Sequence, residues 1–326
     1  MQRSTLLAPL ILLAVAFALV SREPQTDPRL KHAVRYPANN GWIFVRLEGT
    51  PAEVGYQHGY LLAPEIQDNL KEISLELTHD EHKPWQFFRD AAQNMLWPRI
   101  EREYREELQA IAAGANAHGA KLDLWDVVAL NAWLELPGYV KWKDQRRDAP
   151  TPEHCSAFVA TGSYTKDGHV VIAHNTWTSY ASGERWNIIF DIRPAGGHRI
   201  LMDGMPGLIH SGDDFGLNDA GILITETTIS RFNGWDSNGI PEFVRARKAM
   251  QYAASIDDFA RIMREGNNGG YANDWLVADR KTNEVASLEL GLKNINLQRT
   301  RDGYFVGSNF PIDPKLAREE TDFDVH

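Results

Sequence analysis

The chain has 326 residues, of which 43% are hydrophobic, 24% charged and 10% aromatic, and its formal net charge is −10. This composition is typical of a folded globular protein and excludes a disordered chain, a collagen-like repeat and a coiled coil. The acidic balance argues against a general nucleic-acid binder, because phosphate binding needs a basic surface. With Cys155 as its single cysteine, the chain can form no internal disulfide and no cysteine-built zinc site.

The N-terminus has the features of a secretory signal peptide, which we predict over residues 1–21. Arg3 precedes an uncharged apolar run over residues 6–20 that contains small residues near its end. A membrane anchor is the alternative, although this run is short for a span, which needs roughly 20 residues. We therefore expect export to a periplasmic, extracellular or lumenal compartment. An unpaired cysteine is unusual in such oxidising compartments unless it is used.

The first half of the chain is predicted to be mainly helical. Residues 22–40 are polar and proline-bearing, as in a linker, and a short strand is predicted over residues 41–49. Thr50, Pro51 and Glu53 then indicate a helix start, with an N-cap, a proline at the first position and an acid in the first turn. Apolar spacing continues this helix to Ile73. Further helices are predicted over residues 86–118 and 124–136, and residues 143–154 read as an exposed charged loop that closes a segment 41–154.

From Cys155 onward the pattern changes to β. A hairpin is predicted from strands at 155–165 and 170–177 around a turn at Lys166–His169. Further strands are predicted at 187–194, 198–204, 221–229, 273–280 and 284–291. A helix over 241–265 separates them, and no βαβ alternation is present. This order favours an α+β fold with antiparallel sheets.

Cys155 follows the exposed loop directly and opens a strand, a position that allows a catalytic role. If the His154–Cys155 bond is cut, Cys155 becomes an N-terminal residue whose own α-amine can accept the thiol proton. The same thiol can attack the preceding carbonyl, so that the protein matures itself. The alternative is that Cys155 packs as a small hydrophobe at a strand start.

Several blocks of the sequence resemble known families. Cys155-Ser156-Ala157, followed by Ala173-His174-Asn175-Thr176-Trp177, looks like the phospholipase B-like proteins. The likeness continues in blocks at 206–207, 211, 213–215, 221, 226–228, 267–275 and 307–311. Gly55-Tyr56-Gln57-His58-Gly59 and residues 107–119 are similar to the penicillin acyltransferase-like autoproteolytic cysteine peptidases. Both families are N-terminal-nucleophile hydrolases.

This resemblance covers residues 41–312 and implies an αββα sandwich with self-cleavage just before Cys155. It places the hydrolase core over residues 155–326, after the mainly helical segment. Related proteins continue well beyond this length, so we expect the chain to be C-terminally truncated. The implied chemistry needs no metal and no organic cofactor.

Two residues of the hairpin are candidates beside the nucleophile. His174 is expected to orient the substrate or its leaving group, and a hydrogen-bonded sheet histidine is the alternative. Asn175 is the other candidate for the inward position, because adjacent strand residues point to opposite faces. Trp177 shares the parity of Asn175 and is expected to be pocket wall or core.

Three later residues complete the predicted site. Thr227 is expected to project beside the nucleophile, although β-branched residues are common at strand ends. Asn273 is predicted to donate its amide hydrogen bond to an oxyanion, with an ordinary turn role as the alternative. Asn309 is a secondary candidate for the same donor role.

The predicted function is that of an exported, self-processing hydrolase or acyltransferase that cleaves acyl esters or acyl amides through a Cys155 thioester. The first family implies phospholipid or other fatty-acyl substrates, and the second implies amides of the penicillin type. A secreted binding protein that keeps the fold without catalysis is the competing hypothesis. The expected partners are a small acyl substrate and the two self-cleaved fragments held together, with no nucleic acid and with membrane contact only through the substrate.

Overall fold

The structure is a computed structural model that describes residues 27–146, 155–212 and 215–323. The predicted signal peptide, the end of the exposed loop with His154, and the acidic pair at 213–214 lie outside the described residues. Within the described ranges, no helix combines the length and the apolar character needed to cross a membrane.

The described residues form twelve strands in two sheets. In chain order, the strands are β1 (Val34–Arg35), β2 (Ile43–Gly49), β3 (Ser156–Gly162), β4 (Gly168–Asn175), β5 (Ile188–Pro194), β6 (Ile200–Gly204), β7 (Gly216–Asn218), β8 (Ile222–Thr228), β9 (Asn273–Asp279), β10 (Glu284–Leu290), β11 (Ile295–Thr300) and β12 (Gly303–Gly307).

The α-helices lie mostly before β3 and between β8 and β9. They are α1 (Pro51–Leu61), α2 (Ala63–Glu81), α3 (Trp85–Ala91), α4 (Arg102–Ala117), α5 (Leu124–Asn131), α6 (Leu136–Asp144), α7 (Tyr180–Gly183), α8 (Glu242–Tyr252), α9 (Ile256–Arg264) and α10 (Pro314–Glu320).

The two sheets are stacked face to face. The large sheet has nine strands in the order β1-β2-β5-β6-β7-β8-β9-β10-β11, and the small sheet has the order β12-β3-β4. All pairs are antiparallel except β2 with β5, where Ile43 lies opposite Ile188. The small sheet packs on β8, β9 and β10. The α+β class with antiparallel sheets is thus confirmed.

The opposite face of the large sheet packs against helices. Trp275 of β9 meets Phe259 of α9 with ring centroids 5.5 Å apart, and both belong to a core that extends from Ile43 to Leu290. Elements before and after Cys155 therefore share one core. The outer face of the small sheet is different, since Phe158 and Tyr304 are 42% and 55% exposed there. In the described part of the chain, three of the four layers of an αββα sandwich are present.

The first helix begins as the sequence predicts. The Thr50 hydroxyl accepts a hydrogen bond from the Glu53 amide, and the Glu53 carboxylate accepts one from the Thr50 amide, which is a complete capping box. This helix lies unusually close to α4, because a Cβ on Gly55 would stand only 2.1 Å from the Glu107 carbonyl oxygen and one on Gly59 only 2.0 Å from that of Ile111. The Gly55–Gly59 block is thus needed for helix packing.

The predicted helices are interrupted where prolines occur. The helix expected to reach Ile73 ends at Leu61 and restarts at Ala63, with Pro64 in its first turn. The segment 86–118 is also not one helix, since a π-helical turn at Ala92–Leu96 and a 3₁₀ turn at Trp97–Arg99 separate α3 from α4. Pro98 has no amide hydrogen for a helix interior, which accounts for the second break. Within the predicted linker, residues 34–35 form β1 on the edge of the large sheet.

Candidate active site

The ends of several strands meet at one edge of the stacked sheets. In the small sheet, β3 begins where β4 and β12 end, since Ala157 pairs with His174 on one side and with Gly307 on the other. In the large sheet, β8 ends where β9 begins, with Thr228 opposite Asn273. Binding and catalytic residues are often found on the segments that follow or precede strands, because the sheet holds these segments in place.

Thr227 and Gly307 join these two groups of strand ends. Thr227 is buried, and its hydroxyl would lie 2.5 Å from a Cβ built on Gly307. The end of β8 therefore touches the end of β12 across the space between the sheets. Only glycine at position 307 leaves room for the threonine side chain.

Cys155 lies at this edge, immediately before β3. It is half-buried and stands two residues before Ala157, which belongs to the apolar cluster between the sheets. Because side chains alternate along a strand, residues 155 and 157 share a face. Extending this alternation to the residue just before β3 directs the thiol to the side that faces the large sheet.

His174 is the inward-facing member of the His174–Asn175 pair. Val170 and Ile172 pack on the cluster between the sheets, and His174 continues their parity. Its Nδ1 lies 3.1 Å from the Thr176 hydroxyl. Burial lowers the pKa of His174 to about 4, so the imidazole is neutral near pH 7 and can exchange hydrogen bonds without carrying charge.

Asn175 and Trp177 lie on the outside of the hairpin. Asn175 pairs with Ser156, and its amide nitrogen is 3.4 Å from the exposed Ser156 hydroxyl. Trp177 is 66% exposed. The roles predicted for these two residues stay predictions, and the structure does not bring their side chains to the face of β3 that Cys155 shares with Ala157.

Asn273 is the first residue of β9 and is fully buried. Among the described residues, neither the nitrogen nor the oxygen of its side-chain amide has a hydrogen-bond partner. Buried polar groups without partners are rare and usually have a functional or solvent-mediated reason. Asn273 pairs with Thr228, and Asp274 pairs with Thr227. Asp274 therefore shares a face of the large sheet with Thr227, and Asn273 lies on the opposite face.

Asn309 holds the end of β12 against the end of β8. Its backbone is left-handed, with φ of 60°. Its side-chain amide nitrogen donates to the Thr228 backbone carbonyl at 3.0 Å. Its backbone carbonyl accepts a hydrogen bond from the Ser230 amide at 3.2 Å. Within the described residues, its side-chain oxygen has no hydrogen-bond partner. Asn309 stands two residues after Gly307, as Cys155 stands two residues before Ala157, so both lie at the same edge.

A buried carboxyl that no sequence motif signals lies beside this group. Asp274 is 2% exposed and accepts a hydrogen bond of 2.7 Å from the Ser287 hydroxyl. Burial, together with Glu289 on the adjacent strand, raises the pKa of Asp274 to about 7. From the sequence alone, strand alternation places Asp274 and Asn273 on opposite faces of β9. Only the pairing of β9 with its neighbours shows which of these faces meets the small sheet.

A chain of hydrogen bonds on the other face was not predicted from the sequence. The Thr228 hydroxyl donates to the Tyr271 hydroxyl at 3.0 Å, which in turn donates to Glu226 Oε1 at 3.2 Å. No motif signals this arrangement, because it joins the end of one strand to the loop before another. The described residues contain no cluster of histidine, cysteine and carboxylate side chains that could hold a metal ion. The side chains described at this edge supply a thiol, a neutral imidazole, amides and carboxyls.

The family model and the named relatives that match this chain point to the same family. The sequence model of phospholipase B matches residues 88–295. An uncharacterized protein of Archaeoglobus fulgidus is 27% identical over 299 residues, which are 86% of this chain and 48% of that protein. Phospholipase B-like 1 of Bos taurus is 23% identical over 312 residues, which are 80% of this chain and 56% of that protein. The chain thus spans about half the length of these relatives.

Solved structures resemble the chain only in part. Penicillin V acylase from Agrobacterium tumefaciens aligns with a TM-score of 0.28 and 13% identity, over 52% of this chain and 49% of that one.

Proposed function

The chain belongs to the phospholipase B family, and from this premise we propose that it is a hydrolase of acyl esters or acyl amides with Cys155 as its nucleophile. The observation that carries the proposal is the position of Cys155: a half-buried thiol at a strand start, at the edge where His174, Thr227 and Asn309 are also found. A structural cysteine would be expected inside the apolar cluster rather than at its margin.

Maturation is proposed to precede catalysis. The Cys155 thiol attacks the carbonyl carbon of His154, and the peptide nitrogen leaves as the α-amine of Cys155, which gives a thioester between the two residues. Water then hydrolyses the thioester, so that His154 gains a carboxylate and Cys155 regains its thiol. The products are two fragments that stay associated, since both contribute to one core.

Turnover uses the new α-amine as the base. It takes the thiol proton, and the thiolate attacks the acyl carbonyl of the substrate. An amide donor at the strand ends stabilises the resulting oxyanion, and the α-ammonium returns the proton to the leaving alcohol or amine. Water resolves the acyl-thioester in hydrolysis, and an amine acceptor would resolve it in acyl transfer. His174, being neutral, is proposed to orient the leaving group by hydrogen bonding.

Self-cleavage is the first test of this scheme. The purified wild type, Cys155→Ala and Cys155→Ser proteins are incubated without added protease, and their intact masses are followed over days under denaturing conditions. The wild type should give two fragments, the second beginning at Cys155, the serine variant should be cut slowly, and the alanine variant should remain one chain. Ser156→Ala is the matched control, because it changes the adjacent residue, whose side chain is exposed, and it should be cut like the wild type.

Cleavage of the alanine variant at the same bond would show that another protease acts, and self-processing would be wrong. Turnover is then measured with a fatty-acyl ester and the matching fatty-acyl amide. Cys155→Ala should lose activity roughly 10⁴-fold or more, as nucleophile variants of covalent enzymes do. Hydrolysis that is equally fast in the alanine variant would contradict Cys155 as the nucleophile, and a fully cleaved protein without turnover of either substrate would favour the binding protein.

Export is proposed from the leader sequence at residues 1–21. Protein expressed in an exporting host should begin beyond this segment when its N-terminus is sequenced. A mature protein that begins at Met1 would contradict the signal peptide in favour of an anchor.

A further inference from the structure

A cleft of about 510 Å³ opens beside the candidate site. Thr228 and Ser230 line it from the end of β8, Ala272 lines it from the segment before β9, and Gly138 lines it from α6. Thr228 and Ala272 are the chain neighbours of Thr227 and Asn273. Asn309 bonds to the backbone of both Thr228 and Ser230, so the cleft and the strand ends around Cys155 share a wall.

Two residues of the cleft wall have a rare backbone conformation. Arg231 and Tyr271 line the cleft with φ of 57° and 47°, a left-handed region that side chains other than Asn and Asp seldom adopt. Such conformations persist where the surroundings enforce them, and they concentrate at ligand sites. The Tyr271 hydroxyl is fixed by its bonds to Thr228 and Glu226, which keeps this part of the wall in place.

Arg231 differs from the other cations of the cleft in its partners. Lys141 donates to the Phe232 carbonyl at 2.8 Å, and Arg146 pairs with Glu81. Arg231 has its guanidinium 5.3 Å from the centre of the Phe323 ring. Among the residues that the structure describes, no carboxylate forms an ion pair with Arg231, and its Nε is buried without a hydrogen-bond partner.

The chemistry of the wall selects a polar ligand. Asp80 and Glu81 line the cleft together with Lys141, Arg146 and Arg231, so residues of both charge signs contribute to its wall. An alkyl chain placed there would desolvate these charged groups without replacing their hydrogen bonds, which is costly. A guanidinium without a carboxylate partner presents a planar set of donors that matches phosphate and carboxylate oxygens.

We propose that this cleft binds the polar portion of the acyl substrate, through an anionic phosphate or carboxylate group that pairs with Arg231. The inference rests on the proposed function, because it takes the scissile carbonyl to lie at Cys155. The acyl chain then leaves the site in another direction. Arg231 is a residue for binding and specificity and takes no part in bond making.

The first experiment compares Arg231→Gln, Arg231→Lys and the wild type on three substrates with one acyl chain. One substrate carries a phosphodiester in its polar part, one a carboxylate, and one is a neutral methyl ester. Because a hydrogen bond to a charged group contributes about 1.5–3 kcal/mol, KM for the anionic substrates should rise about 10- to 100-fold in Arg231→Gln, with kcat little changed. Arg231→Lys should restore part of the loss, and the neutral ester should be unaffected.

The two anionic substrates distinguish the sources of the charge. A larger loss with the phosphodiester assigns the cleft to a phosphate group, and a larger loss with the carboxylate assigns it to an acid. Arg102→Gln is the matched control, since the Arg102 side chain is 92% exposed on α4, and it should leave all three KM values unchanged. An equal KM change for anionic and neutral substrates in Arg231→Gln would overturn the proposal.

The second experiment fills the cleft from α6. A Cβ on Gly138 would meet no atom within 4 Å, so a side chain can be introduced at this position of the cleft wall. In the series Gly138→Ala, Gly138→Leu and Gly138→Phe, KM for the anionic substrate should rise with side-chain size, while thermal stability should not fall. Ala113→Phe, at an exposed position of α4, is the control for a large side chain on a helix. A KM independent of size at position 138 would contradict binding in the cleft.

A binding measurement separates this inference from the proposed function. Calorimetric titration of the wild type with glycerol 3-phosphate and with succinate, neither of which has an acyl bond to hydrolyse, should show binding of at least one probe, and the binding should be lost in Arg231→Gln. If the probe binds but the wild type hydrolyses none of the substrates, the proposed function fails and the cleft stands. If the wild type is active and neither probe binds to it, the cleft assignment is wrong while the proposed function remains.

Discussion

The two sheets that enclose the candidate site differ in how they are supported. Strand β9 of the large sheet is buried at every position, because helices cover one of its faces and the small sheet covers the other. Strand β4 of the small sheet instead has no fully buried residue, and Phe158 of β3 is 42% exposed on the outer face. The site therefore lies between a sheet that is covered on both faces and a sheet that is exposed on its outer face. The loss in free energy of unfolding caused by a substitution should depend on which sheet carries it.

The largest expected effect is in the helix-covered face of the large sheet. Trp275→Ala removes a fully buried indole that packs edge-to-face on Phe259 and should lower the free energy of unfolding by about 3–5 kcal/mol. Trp275→Phe, which keeps an aromatic ring, should cost less. Urea denaturation of both variants measures the difference. A Trp275→Ala protein as stable as the wild type would contradict the comparison between the sheets.

The next effect is on the pH dependence of stability, and it comes from the face of the large sheet that meets the small sheet. Because the pKa of Asp274 is raised to about 7 by burial and Glu289, the unfolded chain releases a proton between about pH 4 and pH 7 that the folded protein retains. Stability should therefore fall as pH rises through this window and stay level above it. Asp274→Asn should remove this contribution, which amounts to roughly 4 kcal/mol at most.

Denaturation of the wild type and Asp274→Asn between pH 4 and pH 8 measures this difference in slope. Asp90→Asn, which changes an exposed aspartate of α3 that accepts a hydrogen bond from Gln86, is the control and should keep the slope of the wild type. Parallel stability profiles for the wild type and Asp274→Asn would show that Asp274 ionises alike in the folded and unfolded states.

A third prediction concerns the contact between the two sheets at Gly307 and Thr227. Gly307→Ala places a Cβ 2.5 Å from the Thr227 hydroxyl and should cost about 1–3 kcal/mol by overpacking. Combining it with Thr227→Ala should recover much of that cost, so the double-mutant cycle should show coupling. Gly303→Ala, in the same strand but against the Thr300 side chain, should cost less. Additive effects of the two substitutions would mean that the strand ends do not meet in solution.

The smallest expected effect is on the outer face of the small sheet. Tyr304→Ser and Phe158→Ser replace large side chains that are 55% and 42% exposed, and each should change the free energy of unfolding by less than about 1 kcal/mol. Thermal and urea unfolding measure these variants beside Trp275→Ala. Losses of several kcal/mol would show that this face is covered in solution.

The candidate site was predicted unevenly from the sequence. The hairpin of β3 and β4 was expected, because alternating apolar residues specify it locally. Its connection lies at residues 163–167, so the turn predicted at Lys166–His169 is placed too late. The choice between His174 and Asn175 was left open by the sequence, since alternation separates the two faces without telling which one is inward. Strands β7, β11 and β12 were not expected, and β12 supplies Gly307 beside Thr227.

The sequence by itself determined the local features of this protein: the capping box at Thr50, the α+β order, the hairpin and the position of Cys155 at a strand start. These depend on residues a few positions apart, whose backbone preferences act without the rest of the chain. Only the tertiary structure decided that Ile43 pairs with Ile188, that Asn273 and Thr227 lie on opposite faces of one sheet, and that Arg231 lines a cleft next to Asn309. Those contacts join segments far apart in the chain, and their register is set by packing between layers, which no local pattern encodes.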